Sequence, residues 1–230
     1  MSASPIAAMF DRISPNYDRL NHLLSIHIDK VWRRKTAKIV SKNHPQAILD
    51  LATGTADLAI ALAKHNPEAH IVGMDISEKM LEIGKEKVKQ LGLESQIELR
   101  LGDAASLPFD DNSFDAVTVA FGVRNFENKE RGLSEIHRVL KPNGHAIVLE
   151  FSMPETFPIK QLYLLYFKQF LPLIGKFVSK DPNAYTYLPK SVEAFPKPSD
   201  FIQILDRNSL KNGEAKQLSL GIATLYTAIK

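Results

Sequence analysis

A chain of 230 residues with 44% hydrophobic and 24% charged content suits one large α/β domain and is cramped for two independent cores. It has no cysteine, which excludes disulfides and thiolate metal sites and fits a reducing, cytoplasmic setting. Twenty-nine Lys and Arg against 26 Asp and Glu leave a formal charge of +3, too small a surplus to point to nucleic acid.

Residues 1–45 read as mostly helical, and Val31–Val40 sets basic residues beside an apolar stripe. The short apolar run at Met1–Phe10 lacks the basic start and the length of a secretory signal. No apolar run approaches the roughly 20 residues a bilayer span needs, so membrane contact is expected to be peripheral, at the inner face of the cytoplasmic membrane. From Ala47 onward β-rich runs alternate with helical patterns, the signature of a parallel sheet flanked by helices. Strands are expected at Ala47–Leu51, His70–Asp75, Gln96–Leu101, Phe114–Phe121 and His145–Phe151. Helices are expected at Asp57–His65, at Ser77–Leu91 between an N-capping Ser77 and the stop at Gly92, and at Lys129–Leu140 before the Lys141-Pro142-Asn143-Gly144 turn.

Residues 154–198 are punctuated by proline and rich in Phe, Tyr, Leu and Lys, and read as a cap rather than a second domain. A helix at Pro198–Leu205 and strands at Ala215–Leu220 and Ala223–Ile229 complete the chain. The expected organisation is one domain over residues 1–230: a helical segment 1–45, a core 46–153, the cap 154–198, and a helix with a hairpin at 199–230.

The first strand runs into Asp50-Leu51-Ala52-Thr53-Gly54-Thr55-Ala56-Asp57, a turn of small residues that lets backbone approach a ligand closely. Only Gly54 is left of a full Gly-x-Gly-x-x-Gly pattern, which argues against gripping a pyrophosphate. The second strand ends at Asp75, placed to accept from two ribose hydroxyls. The third ends in Gly102-Asp103-Ala104, where a carboxylate can accept from an adenine amino group and the next N–H can donate to the ring. An aspartate at a strand end often does no more than cap a turn. Three in succession, with Asp50 adding negative charge near an amino group, point to S-adenosylmethionine as cofactor and disfavour a nicotinamide-dependent oxidoreductase.

Two segments carry a resemblance to a known family: Tyr17-Asp18-Arg19-Leu20-Asn21 with Ser25 and Trp32, and Arg138–Gly144 through Glu150-Phe151-Ser152. With Phe121-Gly122-Val123-Arg124-Asn125 they resemble the ubiquinone and menaquinone biosynthesis C-methyltransferases, from Met9 to the C-terminal strands. Asp29 stands where that family usually has histidine, and Asn143 where glycine is common. The resemblance implies the class I, Rossmann-like methyltransferase fold with a mixed seven-stranded sheet, and cofactor contacts at Thr55, Asp75, Asp103 and Ala104.

It also implies an isoprenoid quinol substrate methylated on a ring carbon, leaning to a naphthoquinol with a benzoquinol precursor as the alternative. An aromatic carbon attacks a sulfonium methyl group only when electron-rich, and ionising an ortho phenol of pKa about 10 enriches it. Arg124 is expected to stabilise the developing oxygen anion, with Tyr17 and Asn125 as hydrogen-bonding partners of the ring oxygens. The plainer alternatives are a packing role for Tyr17 and a salt bridge for Arg124. His22, His27 and His137 show no metal-ligand spacing, and no metal is expected. The apolar stretch Phe157–Val178, with Lys160, Lys168 and Lys176, reads either as a buried cap helix or as a lid that admits an isoprenoid tail and rests on lipid headgroups. A homodimer is compatible with this reading, and a non-catalytic cofactor-binding module is its remaining rival.

Overall fold

The computed structural model describes residues 4–166 and 182–230. One seven-stranded sheet has the order β3-β2-β1-β4-β5-β7-β6. Strands β1 (Ala47–Leu51), β2 (His70–Asp75), β3 (Ile97–Leu101), β4 (Phe114–Ala120) and β5 (Leu140–Phe151) are parallel. Strand β7 (Ala223–Ile229) runs antiparallel between β5 and the edge strand β6 (Lys211–Leu218). This is the expected Rossmann-like class. Strand order reverses between β1 and β4, and ligands of such sheets bind beyond the carboxyl ends of the strands at that switch point.

The central strands are near-continuous apolar runs because both their faces are covered. Alternate residues serve opposite layers: Ile48, Ile71 and Ile147 pack in one core with Trp32 and Leu62, while Leu49, Val117 and Val148 pack in the other with Leu133 and Phe201. The helices are α1 (Pro5–Ile13), α2 (Tyr17–Leu24), α3 (Ile28–Val40), α4 (Asp57–His65), α5 (Glu78–Gln90), α6 (Lys129–Val139), α7 (Ile159–Leu165), α8 (Pro182–Glu193) and α9 (Pro198–Arg207). Ser77 caps α5, its hydroxyl accepting from the Met80 N–H at 3.3 Å, and Asn128 caps α6 through the Arg131 N–H at 2.9 Å.

Three strand boundaries differ by more than a single residue from expectation, for physical reasons. Strand β5 starts at Leu140, which pairs with Phe114, and the ladder resumes at His145 opposite Ala116 after a register shift. The expected turn survives inside that irregularity: Asn143 has φ +63°, a left-handed backbone that asparagine tolerates better than most residues. Strand β6 starts at Lys211 and is exposed along nearly its whole length, so it shows no alternation to read and carries the charges that protect an edge. It stops before Leu220 because Ser219 and Leu220 turn left-handed, with φ +47° and +60°.

Within the expected cap, Phe167, Lys168, Phe170, Leu171, Leu173, Ile174, Lys176 and Phe177 lie outside the described residues. Among the described residues no helix is long and apolar enough to cross a membrane.

Candidate active site

Beyond β1 the chain makes the turn predicted to meet a ligand. Ala52, Gly54 and Ala56 all have positive φ, at +51°, +56° and +66°, so two alanines occupy a conformation that disfavours a side chain. Asp50 holds the turn from behind. Its Oδ2 accepts from the Thr53 hydroxyl at 2.7 Å and its Oδ1 from the Thr118 hydroxyl at 2.6 Å. Burial pushes its pKa up to about 6 against those two bonds.

Asp50 is only 1% exposed and does not line the cleft in front of the turn, which corrects the expectation that it sets a charge beside an amino group. Thr55 is also buried away from the cleft. Its hydroxyl donates to Asp18 at 2.6 Å and accepts from Lys87 Nζ at 3.2 Å, which ties the turn to α2 and α5.

The other four expected cofactor residues, Gly54, Asp75, Asp103 and Ala104, line one cleft of about 690 Å³ at the carboxyl ends of β1, β2 and β3. Asp75 accepts from the Gly54 N–H at 2.8 Å and the Ser77 N–H at 2.9 Å, and burial raises its pKa in spite of these bonds. Asp103 accepts from the Ala105 N–H at 2.9 Å. Gly122, in the turn after β4, has no room for a side chain, because a Cβ there lies 2.4 Å from that of Ala52. Helix α1 forms one wall of the cleft, held by Ser4 donating to Glu127 at 2.5 Å and by Asp11 accepting from the Ser77 hydroxyl at 2.6 Å.

The charge of this cleft discriminates between ligands. Asp11, Asp75, Glu78, Asp103 and Glu127 line it, and no Lys, Arg or His does among the described residues. Such a surface attracts a cation that carries hydroxyl and amino donors and repels a pyrophosphate. The residues therefore fit S-adenosylmethionine.

A second cavity of about 420 Å³ adjoins the cleft and is lined mainly by apolar and aromatic side chains. Phe10, Tyr17 and Phe121 line both spaces. Trp32, Phe121 and Phe151 form an aromatic wall, with the two phenylalanine rings 4.4 Å apart and the Trp32 indole N–H donating to Ser219 at 2.9 Å. Arg124 lines this cavity and Asn125 the cleft, so neighbouring residues serve the two sides.

Arg124 Nη1 donates to Glu150 Oε1 and to the Phe121 carbonyl, both at 2.5 Å, while its buried Nε has no partner. Asn125 accepts from the Tyr187 hydroxyl at 2.9 Å, linking the cleft to the cavity wall. Burial raises the pKa of the Tyr17 phenol, opposed by the charges of Arg33 and Arg124 and by a hydrogen bond with Asn21.

A model of the ubiE/COQ5 methyltransferase family matches residues 2–230. The chain belongs to that family. A demethylmenaquinone methyltransferase from Bacteroides fragilis is 46% identical over 225 residues, covering 98% of this chain and 92% of the relative. A ubiquinone/menaquinone biosynthesis C-methyltransferase UbiE from Geotalea daltonii is 43% identical over 98% of this chain and 96% of its own length. The crystal structure of a SAM-dependent methyltransferase from Aquifex aeolicus shares the fold, with a TM-score of 0.59 at 19% identity over 80% of this chain and 81% of its own. The chain is thus an S-adenosylmethionine-dependent C-methyltransferase, and the acid-lined cleft has the chemistry to hold that cofactor.

Sequence reasoning missed several residues of this methyltransferase's site. Glu150 is fully buried and holds Arg124; a glutamate inside an otherwise apolar strand was the available signal. Arg33 reaches the cavity from α3, paired with Asp29 in an i,i+4 relation that the sequence displays. Tyr187 had no readable signal.

His22, Asp29 and Asp57 each bring one potential ligand atom within 4.8 Å of the others. They already have side-chain partners: His22 Nδ1 lies 2.8 Å from Asp29, Arg33 pairs with Asp29, and Lys87 pairs with Asp57. The cluster is an ion-pair network among α2, α3, α4 and α5.

Proposed function

We propose that this methyltransferase methylates a ring carbon of demethylmenaquinol to give menaquinol, the last step in making menaquinone. The observation that carries this reading is the apolar, aromatic-walled cavity that shares Phe10, Tyr17 and Phe121 with the acid-lined cleft. A hydrophobic ring in that cavity would lie beside a cofactor held in the cleft. The names of the relatives from Bacteroides fragilis and Geotalea daltonii support a quinone-pathway acceptor. The first of these favours the naphthoquinol ring over a benzoquinol.

When bound, S-adenosylmethionine offers a methyl group on a sulfonium centre, and its transfer to the ring carbon leaves the neutral thioether and releases one proton. The chain's own part is to place the ring and raise its electron density. Arg124, anchored by Glu150, lines the cavity with its guanidinium, which can donate to a ring oxygen as that oxygen gains charge. The Tyr17 phenol stays protonated well above neutral pH, which makes it a donor or acceptor to a ring oxygen rather than a base. Asn125, fixed by Tyr187, sits on the cofactor side of the same junction. Asp75 and Asp103 would accept from the ribose hydroxyls and the adenine amino group, and Gly54 would let the backbone come close. Enclosure by aromatic side chains excludes water from the anionic ring.

In this reading the described part of residues 154–198, with Leu162 and Tyr163 on the cavity, covers the isoprenoid tail, and the mouth of the cavity meets the membrane surface where such quinols reside. The test is a methyl-transfer assay with reduced short-chain demethylmenaquinol and the purified full chain. The expected result is a product heavier by one methyl on the ring carbon, formed only with reduced acceptor. Absence of transfer by folded protein that binds S-adenosylhomocysteine excludes this substrate and leaves the methyltransferase assignment in place.

A further inference from the structure

The acceptor cavity contains two guanidinium groups, and the mechanism above uses one. Arg33 is 11% exposed at its side chain and lines the same cavity as Arg124. Its guanidinium carbon lies 5.3 Å from the Phe121 centroid, and that of Arg124 lies 5.4 Å from the Phe151 centroid. The two rings lie in contact, tilted by 31° with their centroids 4.4 Å apart. Two cations, one from α3 and one from the turn after β4, are therefore seated against adjacent rings of one wall.

Each is held by one buried acid that leaves donors free. Arg33 gives Nη1 to Asp29 Oδ2 at 2.5 Å, and its other guanidinium nitrogens make no hydrogen bond among the described residues. Asp29 is itself fixed by Ser25 at 2.6 Å and by His22 at 2.8 Å. Burial pushes the Asp29 pKa up, but Ser25, Arg33 and His22 outweigh it and hold the carboxyl below its usual range. Arg33 is thus an oriented donor with spare N–H groups, set in a mostly apolar cavity where an unused cation is costly.

We propose that Arg33 is a second acceptor-binding residue, donating to one oxygen of a ring that carries two while Arg124 donates to the other, so that the site selects 1,4-dioxygenated aromatics over simple phenols. This rests on the quinol reading above and adds the contact that distinguishes a hydroquinone from a monohydroxy ring. The Tyr17 phenol acts as a built-in probe of the same field: the largest influence opposing its burial is Arg33, ahead of Arg124. A substrate phenol beside Tyr17 is subject to the same pair of cations, which favour its ionised form.

The test compares wild type, Arg33→Gln and Arg33→Lys as full chains. S-adenosylhomocysteine affinity is measured by calorimetry, and turnover is measured across pH with short-chain demethylmenaquinol and with the matching ring that lacks one hydroxyl. Removal of Asp29's arginine leaves its Ser25 and His22 partners, so Arg33→Gln is expected to fold and to bind S-adenosylhomocysteine as wild type does. Its kcat on the diol falls about 100-fold near neutral pH, the loss shrinks toward about pH 10 as the phenol ionises unaided, and preference for the diol collapses. Arg33→Lys keeps the pair with Asp29 but loses the donor fork; it recovers part of the rate and little of the preference, and serves alone should Arg33→Gln fail to fold. A folded variant with wild-type cofactor affinity, pH profile and diol preference overturns the proposal. A wild-type protein inactive on the diol instead overturns the quinol reading on which it rests.

Discussion

Truncating Arg124 leaves the Glu150 carboxylate, which has no solvent exposure, without its cation. An uncompensated buried charge of this kind costs about 3–5 kcal/mol, so Arg124→Ala is expected to lose stability as well as turnover, and its activity alone does not measure catalysis. Adding Glu150→Gln removes the stranded charge and keeps an acceptor for the Phe151 N–H. The double variant is expected to regain most of the urea midpoint and none of the methyl-transfer rate. Recovery of the rate along with stability assigns Arg124 to the scaffold.

Asp50 gives a second prediction at this scale. Its folded pKa of about 6 lies above the unfolded value of about 3.9. Between those values the folded chain holds a proton that the unfolded chain has lost, so stability is full below about pH 4 and declines as pH rises to about 6. Asp50→Asn removes that slope. The stability difference between variant and wild type is expected to change by up to about 3 kcal/mol across the window, read from urea midpoints at several pH values; parallel curves exclude the shift.

Among the elements, the central strands β1, β2 and β4 and the helices α4, α5 and α6 were legible because their periodicity reports burial, and burial is what holds them in place. Edge strand β6 was only partly legible because little of it is buried. At the turn after β1 the small residues marked where backbone meets ligand, but not where side chains point: Gly54, Asp75 and Asp103 face the cleft while Asp50 and Thr55 do not. Left-handed residues at Ala52, Gly54 and Ala56 reorient the chain in a way that no hydrophobic pattern encodes.

Thr55 belongs instead to the network that binds the N-terminal helices to the core. Lys87 of α5 reaches Asp18 of α2 at 3.0 Å and pairs with Asp57 of α4. Burial pushes the Asp57 pKa up, and Arg33 and Lys87 together bring it below its usual range. Lys87→Met is expected to cost about 1 kcal/mol, concentrated in α2, whose amides exchange hydrogen faster while those of β1 and β4 are unchanged. Uniform acceleration across the sheet excludes a local clamp.

For the molecule as a whole, much of the acid-lined cleft follows the strand ends in chain order, and Gly54, Asp75, Asp103 and Ala104 were legible there while its α1 wall was not. The proposed acceptor cavity is assembled from α1, α2, α3, the turn after β4, the end of β5 and the segment around Tyr187. It exists only once these distant pieces meet, so only the resemblance pointed to Tyr17 and Arg124, and the i,i+4 spacing of Asp29 and Arg33 showed an ion pair but not that it faces a cavity. Around its mouth Ile26, Leu162 and Leu220 are 76%, 60% and 70% exposed and also line the cavity. Exposed apolar side chains around a pocket for a lipid-tailed molecule suit a bilayer surface. The protein is expected to float with liposomes containing anionic lipid, and replacement of all three residues by serine to reduce recovery several-fold; no flotation of the wild type leaves only a closed cap.

Phe10, Tyr17 and Phe121 are a party wall between two rooms. Whatever occupies one side sets the rotamers offered to the other, and thermodynamic reciprocity makes the help or hindrance equal in both directions. Donor and acceptor are therefore expected to sense each other before any bond changes, so that a dead-end complex of spent thioether with fresh quinol, by holding that wall still, doubles as a brake on turnover when the thioether accumulates.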